Sequence, residues 1–294
     1  MNLVKADLKQ KQQPEYIKRR RGSGTQLGIH LILIFLLCLV LLPFALMIMI
    51  SLKDATQYMF HPFTLTWPIK WSNYSTAYYG VFPSVVRTLI LAVVCISLSL
   101  LTSSLASYAL ARYKFPGNKL IYYFIFGLMF IPGVVVLVPL YLWNLKLGLK
   151  GIWGLFATYW VLGHPFAVFF LTNAFRSISE ELLESARCDG AGHLTIWRRI
   201  MLPLSRPVML TLAMMNLLWI YNGDYVWQKV MTDGTGSETV SVALSALRHG
   251  FGGQILQPGI EMAGYVVGSL PLTIAFLLAS RVFVRGLTAG AIKG

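Results

Sequence analysis

Charged residues are scarce in this chain: they make up 12% of its 294 residues, whereas 56% are hydrophobic. Soluble domains usually carry about 25% charged residues. The composition therefore excludes an ordinary soluble domain and is typical of a protein with several helices in a bilayer. Acidic residues are the scarcest charged type, 11 against 25 lysines and arginines, which leaves a formal net charge of +14.

Cysteines and catalytic motifs are also missing or few. Cys38, Cys95 and Cys188 have neither the spacing of metal ligands nor that of a disulfide pair. The sequence has no GxxxxGK[ST] segment, which binds nucleotide phosphates in ATPases. Paired carboxylates and Ser-His-Asp arrangements are lacking in any plausible pocket, so the sequence argues against an enzyme. We expect no metal and no cofactor in this chain.

Long apolar runs, in contrast, are abundant. The first covers residues 28–51, which is longer than the core of a signal peptide, and Pro43 should kink it without breaking it. Five more runs predict membrane helices at 86–111, 120–143, 152–175, 207–227 and 262–283. The sequence therefore predicts an all-α polytopic membrane protein: a basic cytosolic tail at 1–27 and a domain of six transmembrane helices at 28–294.

The positive charges are unevenly distributed over the segments between these runs. Cytoplasmic loops of membrane proteins are enriched in lysine and arginine. With the N-terminus inside, 18 of the 25 basic residues fall on the inner side. We therefore expect both termini in the cytoplasm. Most of the net charge then reflects topology, and it does not indicate nucleic-acid binding.

The longest inner segment between two spans, 176–206, contains "ELLESARCDGAGHLTIWRRIMLPLSRP" from position 181 onward. Ser177 and Glu180 have the spacing of a capping box at a helix start, and Gly190 is a natural stop after a helix that ends at Cys188. A second helical piece is expected at 193–201. The predicted apolar stripe of the first helix consists of Leu182, Leu183 and Ala186.

The pattern Glu184-Ser185-Ala186, then Gly190, then Ile200-x-Leu202-Pro203 resembles the EAA loop of permeases in bacterial binding-protein-dependent ABC importers. The stretches "FIPGVVVLVPLYLWNLKLGL" and "RGLTAGAIKG" are similar to the MalG-like, sugar-uptake branch of that family. One stretch departs from the family pattern: in "YNGDYVWQK", Gly223 replaces Asn and Gln228 replaces Pro. The resemblance implies the type I permease fold of ABC importers.

The resemblance also implies a function for the inner segment, which would dock into a cleft of an ATPase subunit and bury its exposed apolar stripe there. A helix lying on the membrane surface is the alternative, but such helices favour basic residues, and this one is acidic. The implied coupling residues are Glu184, Ser185, Ala186, Arg187, Asp189, Gly190, Ala191, Ile200, Leu202 and Pro203. The implied partners are a homologous second permease, two ATPase subunits that bind ATP and Mg, an extracytoplasmic solute-binding protein and a sugar, at the bacterial inner membrane.

Polar side chains within spans are costly and often mark a transport path. Such candidates are Trp160, His164, Asn216, Tyr221, Asn222 and Asp224, with Ser269 in the sixth span. For each, a hydrogen bond between helices or a position at the membrane interface is the alternative.

The segment 228–261 resembles the family's periplasmic loop that probes the binding protein, with a short helix expected at 240–247. A plain linker is the alternative. The contact candidates are Val240, Leu244, Leu247 and Arg248.

The sequence does not decide between neutral, malto-oligosaccharide-like substrates and acidic, alginate-like ones. An ion-coupled secondary transporter is the competing class. It would require inverted repeats and buried carboxylates near the bilayer centre, and the sequence shows neither.

Overall fold

The computed structural model describes residues 23–249 and 257–291, and all regular elements in these ranges are helical. Four of the helices are long and apolar enough to cross a membrane, and two bent helix pairs raise the number of candidate spans to six. The helices are α1 (Ser23–Ser51), α2 (Ala55–Phe60), α3 (Ser72–Arg112), α4 (Asn118–Leu128), α5 (Gly133–Lys146), α6 (Ile152–Leu162), α7 (His164–Arg176), α8 (Glu180–Cys188), α9 (His193–Ile196), α10 (Leu202–Leu204), α11 (Arg206–Leu218), α12 (Tyr225–Thr232), α13 (Val240–His249) and α14 (Pro258–Ala291). Two π-helical segments, Trp197–Met201 and Trp219–Gly223, follow α9 and α11.

The first span agrees with its prediction in one respect and differs in another. α1 runs through Pro43 without a break, as expected. It begins at Ser23, five residues before the predicted start at 28 and inside the segment assigned to the tail. Residues 1–22 of that tail, 250–256 of the predicted outer loop and 292–294 at the C-terminus lie outside the described residues. Residues 47–294 form the larger of two compact units of the chain, and the contacts below belong to it.

α3 is the longest helix and extends beyond the predicted second span. Its 41 residues make it about 60 Å long at 1.5 Å per residue, roughly twice the thickness of a hydrocarbon core. The helix starts at Ser72, 14 residues before the predicted boundary. Small buried residues let the backbone of α7 come close, and Ser107 Oγ donates to Val168 O at 3.2 Å. The buried serines of α3 are Ser84, Ser99, Ser103, Ser104 and Ser107.

The helices at the predicted third and fifth spans are interrupted. α4 and α5 meet at an angle of 98° across a break just before Gly133. Pro132 supplies no backbone N–H and disfavours helical geometry in the preceding residue, which explains the break. The helical part of the fifth span ends at Gly223, because Asp224 leaves helical geometry with φ −132°. The helix thus ends four residues before the predicted end of the span at 227, and α12 begins directly after the break.

Two apolar clusters pack against α3, one at its middle and one at its C-terminal end. One joins α3, α6 and α12 and contains Leu91, Leu155 and Met231. The other joins the last turns of α3 and α7 to the segment 176–206, and it contains Tyr108, Phe175, Leu183, Ile196, Trp197 and Met201. The second cluster defines one end of the helix bundle, which we call the coupling end.

Candidate coupling and transport sites

The first helix of segment 176–206 ends with two backbone hydrogen bonds around Gly190. The Gly190 N–H donates to Arg187 O, and the Ala191 N–H donates to Ala186 O, each at 2.9 Å. This pair of bonds is a Schellman motif, which requires a left-handed residue after the helix. Gly190 has φ +81°, so the prediction of a helix stop at this glycine is confirmed. Ala186 and Ala191 also pack beside the coupling-end cluster, as the motif favours.

The start of this helix differs from the prediction. Ser177 Oγ donates to Ala174 O at 2.8 Å, and Ser179 precedes the helix without a side-chain cap. The Glu180 carboxylate accepts instead from Arg112 at 2.7 Å and from Arg187 at 3.1 Å. The predicted capping box is therefore wrong. Arg112 and Arg187 thus occupy the carboxylate that the capping box would have used.

Arg112, the last residue of α3, holds the segment at its beginning. Its side chain is only 8% exposed. It donates to Phe175 O and to Ile178 O, the latter at 2.7 Å, in addition to the Glu180 carboxylate. A cation at the end of α7 is also favourable for the helix dipole. Sequence reasoning counted Arg112 only as a topology charge, because a contact 68 residues away along the chain leaves no local pattern.

The second piece of the segment turns the chain into the fifth span. α9 continues through the π segment Trp197–Met201 into α10, so the helical piece predicted at 193–201 is confirmed. Its axis meets that of the fifth span at 73°. The ring of His193 lies against Tyr108 of α3, with Nδ1 and the hydroxyl 3.3 Å apart. Ile200, Leu202 and Pro203 are half-buried, so part of the predicted coupling pattern packs the bend.

The remaining surface of the segment is open. Leu183 is fully buried, whereas Leu182 is 41% exposed and Leu194 is 68% exposed. The exposed members of the predicted coupling set are Glu184, Ser185, Arg187, Asp189 and Gly190. The expectation of an exposed apolar stripe therefore holds for Leu182 only, because Leu183 is buried in the coupling-end cluster and Ala186 is half-buried against it. A surface with apolar leucines among charged groups is suited to bind in the groove of a partner.

We expect Gly190→Ala to weaken the hinge between the two pieces. An added Cβ would meet no atom within 4 Å, so the penalty comes only from the left-handed backbone, about 1 kcal/mol or more. Gly192→Ala is the matched control, since Gly192 has φ −72° and equal space around it. Proteolysis of purified protein across 186–196 should be faster in Gly190→Ala only. Equal rates in both variants would contradict the hinge.

His164 and its neighbours join the second and fourth spans. His164 Nε2 lies 2.6 Å from Thr102 Oγ1 of α3, and its Nδ1 lies 3.3 Å from Val161 O. Val161 O would be the helical acceptor for residue 165, and Pro165 has no N–H to donate. The structure thus supports the backbone-satisfying alternative for His164. Trp160 lies one turn away with its ring 6.3 Å from the imidazole.

The other polar candidates serve different purposes. Tyr221 is buried and donates to Gly268 O of α14 at 2.6 Å, which is an interhelical bond. Asn216 donates to Leu212 O within its own helix, and Ser269 likewise donates to Val266 O. Asp224 is half-buried, and its backbone carbonyl accepts from the Gln228 N–H at 3.0 Å.

Asn222 is the candidate that lines an open cavity, at the end of the bundle opposite the coupling end. The cavity measures about 380 Å³ and combines two tyrosines with several hydrogen-bonding groups. Aromatic faces together with amide, hydroxyl and guanidinium groups suit a sugar ring. The lining residues are Asn222, Tyr225, Ser241, Leu244, Ser245, Arg248 and Tyr265.

The helix predicted at 240–247 is present as α13, but its side chains are disposed differently from the prediction. Val240 and Leu247 are buried with Val81 and Tyr221. They are therefore core residues here and do not present a contact surface. Leu244 is half-buried, whereas Arg248 is exposed.

Gln228, which departs from the family pattern, is the buried centre of a polar network. Its Nε2 donates to Ile220 O at 2.6 Å, and its Oε1 accepts from Thr239 at 2.6 Å and from Ser241. The amide therefore joins the end of the fifth span to the start of α13. Gly223, the other departure, is explained by packing: a Cβ there would lie 2.8 Å from Trp219. Sequence reasoning noted both positions but assigned them no function.

The architecture matches that of a known transporter subunit. It aligns with a chain of a bacterial ABC transporter involved in the import of the acidic polysaccharide alginate, with a TM-score of 0.76 and 22% identity. The alignment covers 92% of this chain and all of the other. The fold is thus that of an ABC importer permease. At this identity the likeness concerns the fold alone.

The sequence comparisons identify the family. The family model described as "binding-protein-dependent transport system inner membrane component" matches residues 103–289, and the chain belongs to this family. An ABC transporter permease protein, ORF2, of Caldicellulosiruptor sp. (strain Rt8B.4) is 32% identical over 263 residues, 86% of this chain and 91% of that one. The melibiose/raffinose/stachyose import permease protein MelC of Bacillus subtilis (strain 168) is 28% identical over 270 residues, 90% and 96% of the two chains.

Proposed function

We propose that this chain is a transmembrane subunit of an ATP-driven oligosaccharide importer, and that segment 176–206 couples it to an ATPase. The observation that carries the proposal is the two-sided segment: Leu183 and Arg112 attach it to α3, while Glu184 and Leu194 remain exposed for a partner. Membership of the permease family and the sugar substrate in the name of MelC support the oligosaccharide class.

In this proposal the chain provides half of a translocation path and leaves the chemistry to its partners. A second, homologous permease completes the path, and two ATPase subunits bind ATP and Mg. A solute-binding protein delivers the sugar from outside. When the ATPases close, they move the coupling segment. Because Arg112 ties that segment to the end of α3, the displacement reaches a helix about 60 Å long and through it the opposite end of the bundle.

The cavity at Asn222 is the proposed outer entrance for the sugar. Tyr225 and Tyr265 offer aromatic faces, while Asn222, Ser241 and Arg248 offer hydrogen-bonding groups. A guanidinium can bind hydroxyl groups as well as a carboxylate. The entrance therefore suits neutral oligosaccharides and uronate oligomers, and uptake measurements decide between them.

Uptake into sealed vesicles tests the proposed function. The vesicles would contain this chain with its co-purifying permease and ATPase, ATP would be enclosed on the ATPase side, and the co-purifying binding protein would be added outside. We expect uptake of a labelled oligosaccharide only with ATP and binding protein together. Uptake driven by an ion gradient without ATP would support a secondary transporter and overturn the proposal.

The proposed orientation predicts which cysteines react from outside. With Cys38, Cys95 and Cys188 replaced, single cysteines at Lys114 and Gly192 should resist a membrane-impermeant thiol reagent in intact cells, whereas one at Asp233 should react. Lys114 and Asp233 are exposed, and Gly192 has open space around it. Permeabilised cells give the control for reactivity. Labelling of Gly192 from outside would contradict an inward coupling segment.

A further inference from the structure

The segment between α1 and α3 folds into an ordered loop, which we call the aromatic lobe (residues 54–71). Asp54 and Gln57 form a capping box at the start of α2: Gln57 N–H donates to Asp54 Oδ1 at 2.8 Å, and Asp54 N–H donates to Gln57 Oε1 at 2.9 Å. Gln57 Nε2 also donates to Pro68 O at 3.0 Å. These bonds close the lobe on itself, so its exposed side chains are held by a defined backbone.

The base of the lobe is fixed to the end of the first span. The Lys70 N–H donates to Leu52 O at 2.9 Å, and Asn73 Nδ2 donates to Ser51 O at 2.9 Å. The buried Lys53 donates through Nζ to His61 O at 2.6 Å, inside the lobe. Gly259 of α14 packs on the same point, since a Cβ there would lie 2.0 Å from Lys53 O. Both ends of the lobe are therefore at the level where the apolar helix α1 ends.

The lobe exposes large apolar side chains and almost no charge. Its two charged residues, Asp54 and Lys70, pair with each other at 3.5 Å. Six apolar residues are between 67% and 82% exposed, which is unusual for a surface in contact with water. These residues are Met59, Phe60, Phe63, Leu65, Trp67 and Trp71.

We infer that the aromatic lobe inserts into the headgroup region of the leaflet opposite the coupling end. Three observations favour lipid as the surroundings of the exposed side chains. The lobe lies where the apolar helix α1 ends, it contains two exposed tryptophans, and its two charged residues pair with each other. Tryptophan and tyrosine are enriched at membrane–water interfaces, where an apolar ring and a polar group are both satisfied. The inference rests on the membrane placement of α1 and α3, and it is independent of the direction and the substrate of transport.

A lobe held in the leaflet would fix the depth in the membrane of the bundle end opposite the coupling end. The lobe hydrogen-bonds to Leu52, directly after α1, and to the first turn of α3, and the start of α14 packs against Lys53 O beside it. Anchoring at this height resists vertical displacement of these three helix ends while the coupling segment moves. The lobe would thus hold the protein at one depth rather than bind the transported sugar.

Site-directed spin labelling tests the placement. Single cysteines at Phe63 and Leu65, in a background without the native cysteines, would be labelled in the purified protein with its co-purifying subunits in lipid nanodiscs. Collision rates with oxygen, which is concentrated in lipid, and with a water-soluble nickel chelate would be measured. Leu33 and Ile90, exposed on the apolar helices α1 and α3, are the lipid references, and Asp233 is the water reference.

The expected result is a higher collision rate with oxygen than with nickel at positions 63 and 65, as at the lipid references, and the reverse order at Asp233. Thr56, an exposed polar residue of α2, is the matched control within the lobe and should be closer to the water reference. Nickel-accessible labels at 63 and 65 would overturn the inference, because the lobe would then be in water. Labels shielded from both reagents would also overturn it, since a partner subunit would then cover the lobe.

Discussion

Glu184→Lys is expected to abolish ATP-driven uptake while the protein still inserts in the membrane. Glu184 is exposed on the first helix of the coupling segment, and the described residues place no ion pair on it. The substitution should therefore leave the fold intact. At the proposed ATPase contact it replaces an acceptor with a cation, and loss of a charge-assisted hydrogen bond costs roughly 1.5–3 kcal/mol. That energy corresponds to about ten- to a hundredfold less assembled complex.

The measurement is co-purification of the ATPase together with uptake in vesicles. Asp233→Lys is the matched control, because it makes the same charge reversal at an exposed site in the predicted outer loop. Only Glu184→Lys should lose ATPase and uptake. If both variants retained ATPase and transported at the wild-type rate, Glu184 would not be part of the power-coupling surface.

Some of this site can be predicted from sequence because its rules are local. The stop at Gly190 follows from a left-handed position that glycine adopts cheaply, and the structure confirms it with the Schellman bonds to Arg187 and Ala186. The short helix α13 could also be predicted locally, from a stretch between two glycine-rich segments. The capping box at Ser177 failed for the opposite reason: Glu180 has distant partners that a local rule does not include.

The less predictable features depend on contacts far apart in the chain. Gln228 can form its buried hydrogen bonds to Ile220 and Thr239 because the helix of the fifth span breaks at Asp224. No short sequence pattern predicts such a break. No local sequence pattern predicts the two π segments either, although such turns are frequent at functional sites. The exposure of Val240 was also misjudged, since only the packing against Val81 shows which face of α13 is buried.

Arg112→Lys is expected to uncouple ATP hydrolysis from uptake without loss of the ATPase. Lysine keeps the positive charge, so membrane orientation should be unchanged. It cannot replace a planar guanidinium that donates to Phe175 O, Ile178 O and the Glu180 carboxylate together. The ion pair itself counts for little, since Glu180 is half exposed. The two bonds to backbone carbonyls, made by a side chain that is 8% exposed, are the larger contribution, roughly 1.5–3 kcal/mol for each one lost.

The Arg112→Lys complex should therefore assemble, because the exposed coupling surface is unaltered, and it should hydrolyse ATP at the basal rate. The coupling segment would move relative to α3 rather than with it, so stimulation of hydrolysis by the loaded binding protein and uptake should both fall by about ten- to a hundredfold. Arg198→Lys is the control: Arg198 lies in the same segment and is exposed, so that variant should behave as the wild type. Normal stimulation and uptake in Arg112→Lys would mean that movement reaches α3 through the apolar cluster around Leu183 alone. Loss of the ATPase on purification would instead show that Arg112 shapes the docking surface itself.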